Sequence, residues 1–298
     1  MAQLKLALMD MNNGVANQGM RGLRNIVKEF QIYENTGPES FGERPYPRPD
    51  SHRNQPGLIV DEFEVRKEHQ VPGLEYNIYL SSGGPGDPRA STGRGEKQWF
   101  RLIDKIWRHN QIDQDKKYVF FVCHSFQMAC HHFGLCDITR RKSTSFGIYP
   151  IHKTELGKKD PLLNDLKDPY FAVDSRDWQL VQPNKTVFKK YGAKMISLEK
   201  IRTHVEYERA IMAIRFSSEM VGTQFHPEAD PEGMKIHFAN KLNRDKVIKN
   251  FSEKKYQKMM TYLDNPEAII HTYETVIPGF LRRAIHSLTT VPFKEHAA

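Results

Sequence analysis

The chain has 298 residues, 39% of them hydrophobic and 27% charged, with 44 basic side chains against 36 acidic ones for a net charge of +8. These fractions are ordinary for a globular protein and exclude disordered, collagen-like and coiled-coil classes, and no apolar run approaches the roughly 20 residues of a membrane span. A chain of this length buries a good core before it begins to divide, so we expect one large domain, or one domain with an appendage.

Leu4 to Met9 reads as a short apolar strand, followed by an Asn/Gly-rich turn and a helical pattern from Gly22 to Phe30. Residues 35–57 hold five prolines among Gly, Ser and Asn, the composition of a long surface loop. Phe63 to Arg66 is a candidate strand. Tyr76 to Ser81 is a better one and runs straight into Ser82-Gly83-Gly84-Pro85-Gly86-Asp87-Pro88. Gln98 to His109 has amphipathic helical spacing, with Trp99, Phe100, Ile103 and Trp107 on one face. Tyr118 to Val122 is a continuous apolar run suited to a central parallel strand. After Cys123 a helix is expected to about Phe133, closed by Gly134 in a left-handed cap. Phe146 to Ile151 and Tyr170 to Val173 are further strands, and Ala210–Phe216 with Met220–Phe225 reads as a hairpin. Beyond Pro231 the pattern is helical and charged, with Pro266 opening a helix. Strand and helix alternation through the first two thirds predicts an α/β fold with a largely parallel sheet and a helical tail.

The charge invites a nucleic-acid reading. The basic residues, however, fall in small groups such as Arg140-Arg141-Lys142 and Lys254-Lys255 with acidic residues between them, which is the pattern of a solvated surface. The amino end lacks the basic stretch, apolar core and small-residue cleavage site of a secretory signal, and three thiols make no disulfide framework, so a reducing, cytoplasmic compartment is expected. Cys123, Cys130 and Cys136 lie in one stretch with His124, His131 and His132, but their spacing is not that of zinc ligand pairs. No metal and no cofactor are expected. Cys130 and Cys136 read as small buried hydrophobes, and His131 and His132 as solvent-facing or helix-capping groups.

Three segments carry the chemistry. Cys123 sits at a strand-to-helix junction, where a nucleophile is pushed out over the carboxyl edge of a sheet and a helix amino terminus favours the thiolate; a buried Cys ending a core strand is an equal reading of that segment alone. In Gly222-Thr223-Gln224-Phe225-His226-Pro227-Glu228, residues i and i+2 of an extended chain share a face, so Glu228 can orient the His226 ring while that ring takes a proton from a thiol; a surface turn explains the segment equally well. The run from Ser81 to Pro88 offers glycines whose N–H groups can assemble an oxyanion hole, and it lacks both the G-x-G-x-x-G spacing and the Lys-Ser/Thr of a phosphate loop.

Taken jointly and in this order, the segments resemble the class I (triad) glutamine amidotransferases, over roughly residues 1–230. The family's marks are a Gly-Pro-Gly-Asp oxyanion loop, a cysteine elbow with Gln four residues on, and a terminal Phe-His-Pro-Glu. The resemblance implies the three-layer, flavodoxin-like fold of that family, with residues 231–298 as a helical extension. It makes Cys123 the nucleophile, His226 the base and then acid, and Glu228 its orienter. The backbone amides of Gly84 and His124 would hold the oxyanion, while Gly86, Gln127, Ser175, Asp177 and Trp178 would contact the substrate. Two positions depart from the family: Phe121 and Ser125 stand where glycines flank the cysteine, and Ser175-Arg176-Asp177-Trp178 replaces a Ser-His-Gly segment. Phe121 puts the packing of the elbow in question.

The resemblance further implies hydrolysis of glutamine to glutamate and ammonia. The ammonia would go to a separate ATP-dependent synthase, since the sequence holds no P-loop and no pyrophosphatase loop, and among relatives the GMP-synthase type is the nearest in character. A γ-glutamyl peptidase or hydrolase with the same triad and a non-catalytic scaffold of the same fold are the alternatives. For the tail, packing on the domain's own sheet is the expectation, and docking to a synthase or homodimer formation is its rival.

Overall fold

A computed structural model of the chain describes residues 3–15, 17–31, 58–90, 92–201, 207–264 and 266–290. The Pro-rich segment 35–57 lies outside the described residues.

Alternate residues of the first strand, β1 (Leu4–Asp10), face opposite sides of one sheet. Leu4, Leu6 and Leu8 enter one apolar cluster and Ala7 and Met9 another, so the strand is covered on both faces as its apolar sequence demands. β1 pairs in parallel with β2 (Leu58–Glu64) and β3 (Ile78–Ser81); β3 pairs in parallel with β4 (Tyr118–Val122), and β4 with β9 (Met220–Thr223). The other half is antiparallel: β9 meets β8 (Ile211–Arg215), then β7 (Lys194–Glu199), then β5 (Cys136–Lys153), then β6 (Tyr170–Pro183) at the edge. The full order is β2-β1-β3-β4-β9-β8-β7-β5-β6, a mixed sheet in which most strands share one direction.

Helices α1 (Gln18–Gln31) and α9 (Pro266–Thr290) cover one face of the parallel half through Leu23, Ile26, Ile277, Phe280 and Leu281. Helices α2 (Arg94–Ile112) and α3 (His124–His132) cover the other through Trp99, Ile103, Phe126 and Cys130. The fold is thus the three-layer α/β arrangement expected. Its helical tail is built inward: Phe280 of α9 meets Phe120 of β4 edge-on at 5.2 Å between ring centres. Between β9 and α9 the chain forms α6 (Pro231–Ala239), α7 (Lys241–Asn250) and α8 (Glu253–Asp264). These pack Met234, Phe238, Tyr256 and Met259 against Phe146, Ile148 and Val173 of the β5–β6 hairpin in a third cluster.

Several elements differ from their sequence-based expectation. The second strand starts at Leu58 and ends at Glu64, which leaves Arg66 in the following turn. Phe146–Ile151 and Tyr170–Val173 are the apolar parts of strands 18 and 14 residues long. β7 and helices α4 (Glu155–Lys158) and α5 (Lys185–Tyr191) were not anticipated. Among the described residues no helix is long and apolar enough to cross a membrane.

Candidate active site

β4 ends at Val122, and α3 begins at His124 with a single residue between them. That residue, Cys123, takes φ 49° and ψ −101°, a left-handed conformation that a residue with a Cβ adopts only when its surroundings hold it there. They do so on both sides. The Cys123 amide donates to the Thr223 carbonyl at 2.7 Å, and its carbonyl accepts from the Gln127 amide at 2.9 Å. Ser125 sits under the turn: its Oγ accepts from the Val122 amide at 3.0 Å and donates to the Ser81 carbonyl at 2.8 Å. Phe121, the residue in question at the elbow, is fully buried against Trp99 and Phe216. Its room comes from its β9 partner Gly222, where a Cβ would come within 3.0 Å of the Phe121 Cβ and 2.5 Å of the Phe126 ring.

His226 follows β9. Its amide donates to the Val173 carbonyl at 2.8 Å, an isolated bridge to β6, and the chain then turns through Pro227. His226 and Glu228 therefore meet across a turn and not along an extended strand. His226 Nδ1 lies 2.8 Å from Glu228 Oε1, and the ring is close enough to Cys123 for the sulfur to act on its charge. Burial opposes a charge on His226, but the carboxylate of Glu228 and the sulfur of Cys123 outweigh it and hold the ring's pKa well above the usual histidine value. Glu228 is itself buried, and its Oε2 has no hydrogen-bond partner among the described residues.

The loop after β3 passes over this pair. A side chain at Gly83 would meet His226 Cε1 at 3.1 Å and Cys123 Cβ at 3.4 Å, and one at Gly84 would strike the Met11 carbonyl at 2.2 Å. Gly86 has φ 111°. The loop is fixed by Arg66, whose Nη1 donates to the carbonyls of Pro85 at 2.7 Å and Met11 at 3.1 Å while Nε donates to Glu96 at 3.0 Å. His124, one residue past the cysteine, is 2% exposed; burial, aided by Arg66, drives its pKa down to about 3, so its ring is neutral.

The β5–β6 hairpin forms the facing wall. The Ser175 carbonyl is 3.7 Å from Cys123 Sγ, Asp177 is exposed and accepts from Thr144, and the Arg89 guanidinium lies 4.2 Å from the centre of the Trp178 ring. Beneath them Arg176 is clamped by Asp174 at 3.0 Å and Glu199 at 3.2 Å, all three side chains nearly out of solvent. Gln127 is buried at the back of the site; its Nε2 donates to Gln224 Oε1 at 2.9 Å and to the Trp178 carbonyl at 3.2 Å. A cavity of about 710 Å³ joins Cys123, His124, Gly84, Gly86, Gln127, His226 and Glu228 to Ser175, Arg176, Asp177 and Trp178. All the catalytic, oxyanion and substrate-contact residues that the resemblance implies thus line one cavity.

The family profile "Glutamine amidotransferase class-I" matches residues 58–244. The chain belongs to that family. No curated protein matches the sequence. Among solved structures, a glutamine amidotransferase from Thermotoga maritima superposes with a TM-score of 0.65 at 14% identity, covering 96% of this chain and 99% of its own. A glutamine amido transferase from Methylobacillus flagellatus superposes at 0.64 with 11% identity over 100% of both chains. A putative GMP synthase subunit from Thermoplasma acidophilum gives 0.52 at 11% identity, over 97% and 96%. At these identities the neighbours speak to the fold, and their full-length coverage includes the helical tail of this amidotransferase. Class-I amidotransferases as a family use a cysteine nucleophile, and this chain keeps a cysteine at the elbow. Two of its site residues carried no role in the sequence reading. Gln224 stood within the strand and segment that lead to His226, and Arg66 at the end of a candidate strand.

Proposed function

We propose that the chain hydrolyses glutamine to glutamate and ammonia through Cys123, His226 and Glu228, within a catalytic domain over residues 1–230 that residues 231–298 extend. The observation that carries this reading is the placing of the His226 ring, with a buried carboxylate at 2.8 Å on one nitrogen and the Cys123 sulfur near enough to act on its charge. His226 takes the proton of Cys123, and the thiolate adds to the side-chain amide carbon of glutamine. The amides of Gly84 and His124 receive the negative oxygen, with the loop stiffened by Arg66 and the second amide at a helix start. His226 then returns the proton to the departing ammonia. Water, deprotonated by the same ring, cleaves the γ-glutamyl thioester to glutamate and frees the thiol. Gly86, Ser175, Asp177 and Trp178 line the space for the amino-acid end of the substrate. The fold it shares with a putative GMP synthase component supports delivery of the ammonia to a separate ATP-dependent synthase.

Purified protein incubated with glutamine should release glutamate and ammonia in equal amounts, and Cys123→Ala should lower the rate by at least about 10⁴-fold. Turnover that survives the substitution overturns the reading. The size of the cavity favours a second one. It continues past the cysteine to Asp10, Asn17, Gln18 and Glu64 and lies in the range that takes ligands much larger than an amino acid. The same triad would then cut γ-glutamyl amides of larger amines, and a higher kcat/KM for a γ-glutamyl dipeptide than for glutamine would select it.

A further inference from the structure

Cys123 Sγ is the atom on which the proposed reaction turns, and a side chain outside the Cys-His-Glu set reaches it. Gln224 Nε2 lies 3.6 Å from Cys123 Sγ, within the longer range of an N–H donated to sulfur, and Gln224 is completely buried. An amide can present either its oxygen or its nitrogen, and an oxygen facing a thiolate would repel it. The surrounding bonds decide which end faces the sulfur. The Trp178 carbonyl can only accept, so the Gln127 end 3.2 Å away from it must be the NH₂ group. That same NH₂ group lies 2.9 Å from Gln224, so Gln224 must turn its oxygen toward Gln127. Its nitrogen is then left for the sulfur. A backbone carbonyl of β6, through two amides in series, fixes an N–H on the nucleophile.

We propose that Gln224 is a further catalytic residue, an N–H donor that stabilises the Cys123 thiolate, and that Gln127 is the positioning residue that holds Gln224 in that orientation. The inference rests on Cys123 being the nucleophile. As the proton passes from Sγ to His226, the sulfur gains a negative charge and the Gln224 hydrogen bond becomes charge-assisted, so it strengthens in the state that attacks. The other charged or titratable groups about the sulfur are His226 and Glu228 after β9, Arg176 of β6, and His124 at the start of α3. None of them replaces this bond, because His226 is the proton's destination and Arg176, which bonds Asp174 and Glu199, acts on the sulfur through its charge alone. The positioning role of Gln127 uses its two N–H bonds within the protein and leaves its Oε1 for the substrate contact.

The test is the pH dependence of alkylation of Cys123 by iodoacetamide in the full chain, followed at the Cys123 peptide by mass spectrometry. Gln224→Met keeps the volume and removes the donor; it should raise the pH midpoint of alkylation by about one unit and slow the reaction about 10-fold below it. Gln127→Met leaves the donor but frees it to flip, and should give a smaller shift in the same direction. Melting temperatures identify a variant that has not folded. If Gln224→Met is such a variant, the Gln127→Met shift decides. A midpoint that does not move in a folded variant overturns the inference while leaving Cys123 as nucleophile. Wild-type Cys123 that alkylates no faster than Cys130 and Cys136 instead removes the proposed function itself.

Discussion

The two halves of the sheet are held by different forces and do different work. In the parallel half, β1, β3 and β4 are buried on both faces, and their carboxyl ends release the Gly84 loop and the Cys123 elbow; β9, at the seam, releases the His226 turn. In the antiparallel half, β5 and β6 lie at the sheet edge and supply the wall that faces Cys123 across the cavity. Their interior there is ionic, with Arg176 between Asp174 and Glu199, Ser145 on Asp174 at 2.7 Å, and Arg141 on Gln179 at 2.9 Å. Apolar packing is non-directional and tolerates small shifts, whereas paired buried charges fix one geometry. The half that carries the reacting groups is therefore held by packing, while the hairpin that shapes the space around them adds a buried ionic network to its apolar cluster.

That contrast can be broken from each side. On the parallel side, Glu228→Gln keeps the shape but removes the charge that helps draw the Cys123 proton onto His226 against the ring's own burial. Glutamine hydrolysis should fall by about 10³-fold or more with a melting temperature close to wild type, measured by ammonia release and thermal denaturation. On the antiparallel side, Arg176→Met removes the cation between two buried carboxylates. It should cost about 3 to 5 kcal/mol of stability in urea denaturation, more than the charge of a surface arginine could account for. If Arg176→Met is as stable as wild type, the hairpin is held by its third apolar cluster and the ionic account fails.

The same contrast explains what could be read beforehand. The apolar runs of β1, β3 and β4, the glycine after the cysteine helix and the hairpin before His226 show in the sequence because burial on both faces leaves a plain signal. So do the candidate site residues, since loops at strand ends need glycine or a special residue. The first half of β5, from Asp137 to Ser145, is polar almost throughout, because one side meets solvent and the other a charge network, and alternation is lost. Gln224 and Arg66 escaped for a related reason: each acts through partners distant in sequence, Gln127 and Cys123 for the first and Met11, Pro85 and Glu96 for the second. The fit of Phe121 beside Gly222 is likewise a cross-strand fact, visible only once β4 and β9 are paired.

The smallest expected effect separates a backbone role from a side-chain role at the seam between the two halves. His124 is assigned only its amide, while its ring is buried and neutral with a pKa near 3. The unfolded chain binds a proton at that ring below about pH 6.5, and the folded chain refuses it until near pH 3. Across this window the unfolded state holds more protons, so stability falls as the pH is lowered, by at most about 1.4 kcal/mol per pH unit from this group. His124→Leu removes the titrating ring and keeps the amide. Urea denaturation at pH 7 and pH 4.5 should therefore show a smaller acid loss than wild type, with glutamine turnover at pH 7.5 within about threefold, as expected if only the backbone amide serves the oxyanion. An unchanged acid loss would mean that the ring is protonated in the fold, with Asp87 as its counter-charge, and turnover lost with the ring would move the role at this position from the backbone to the imidazole.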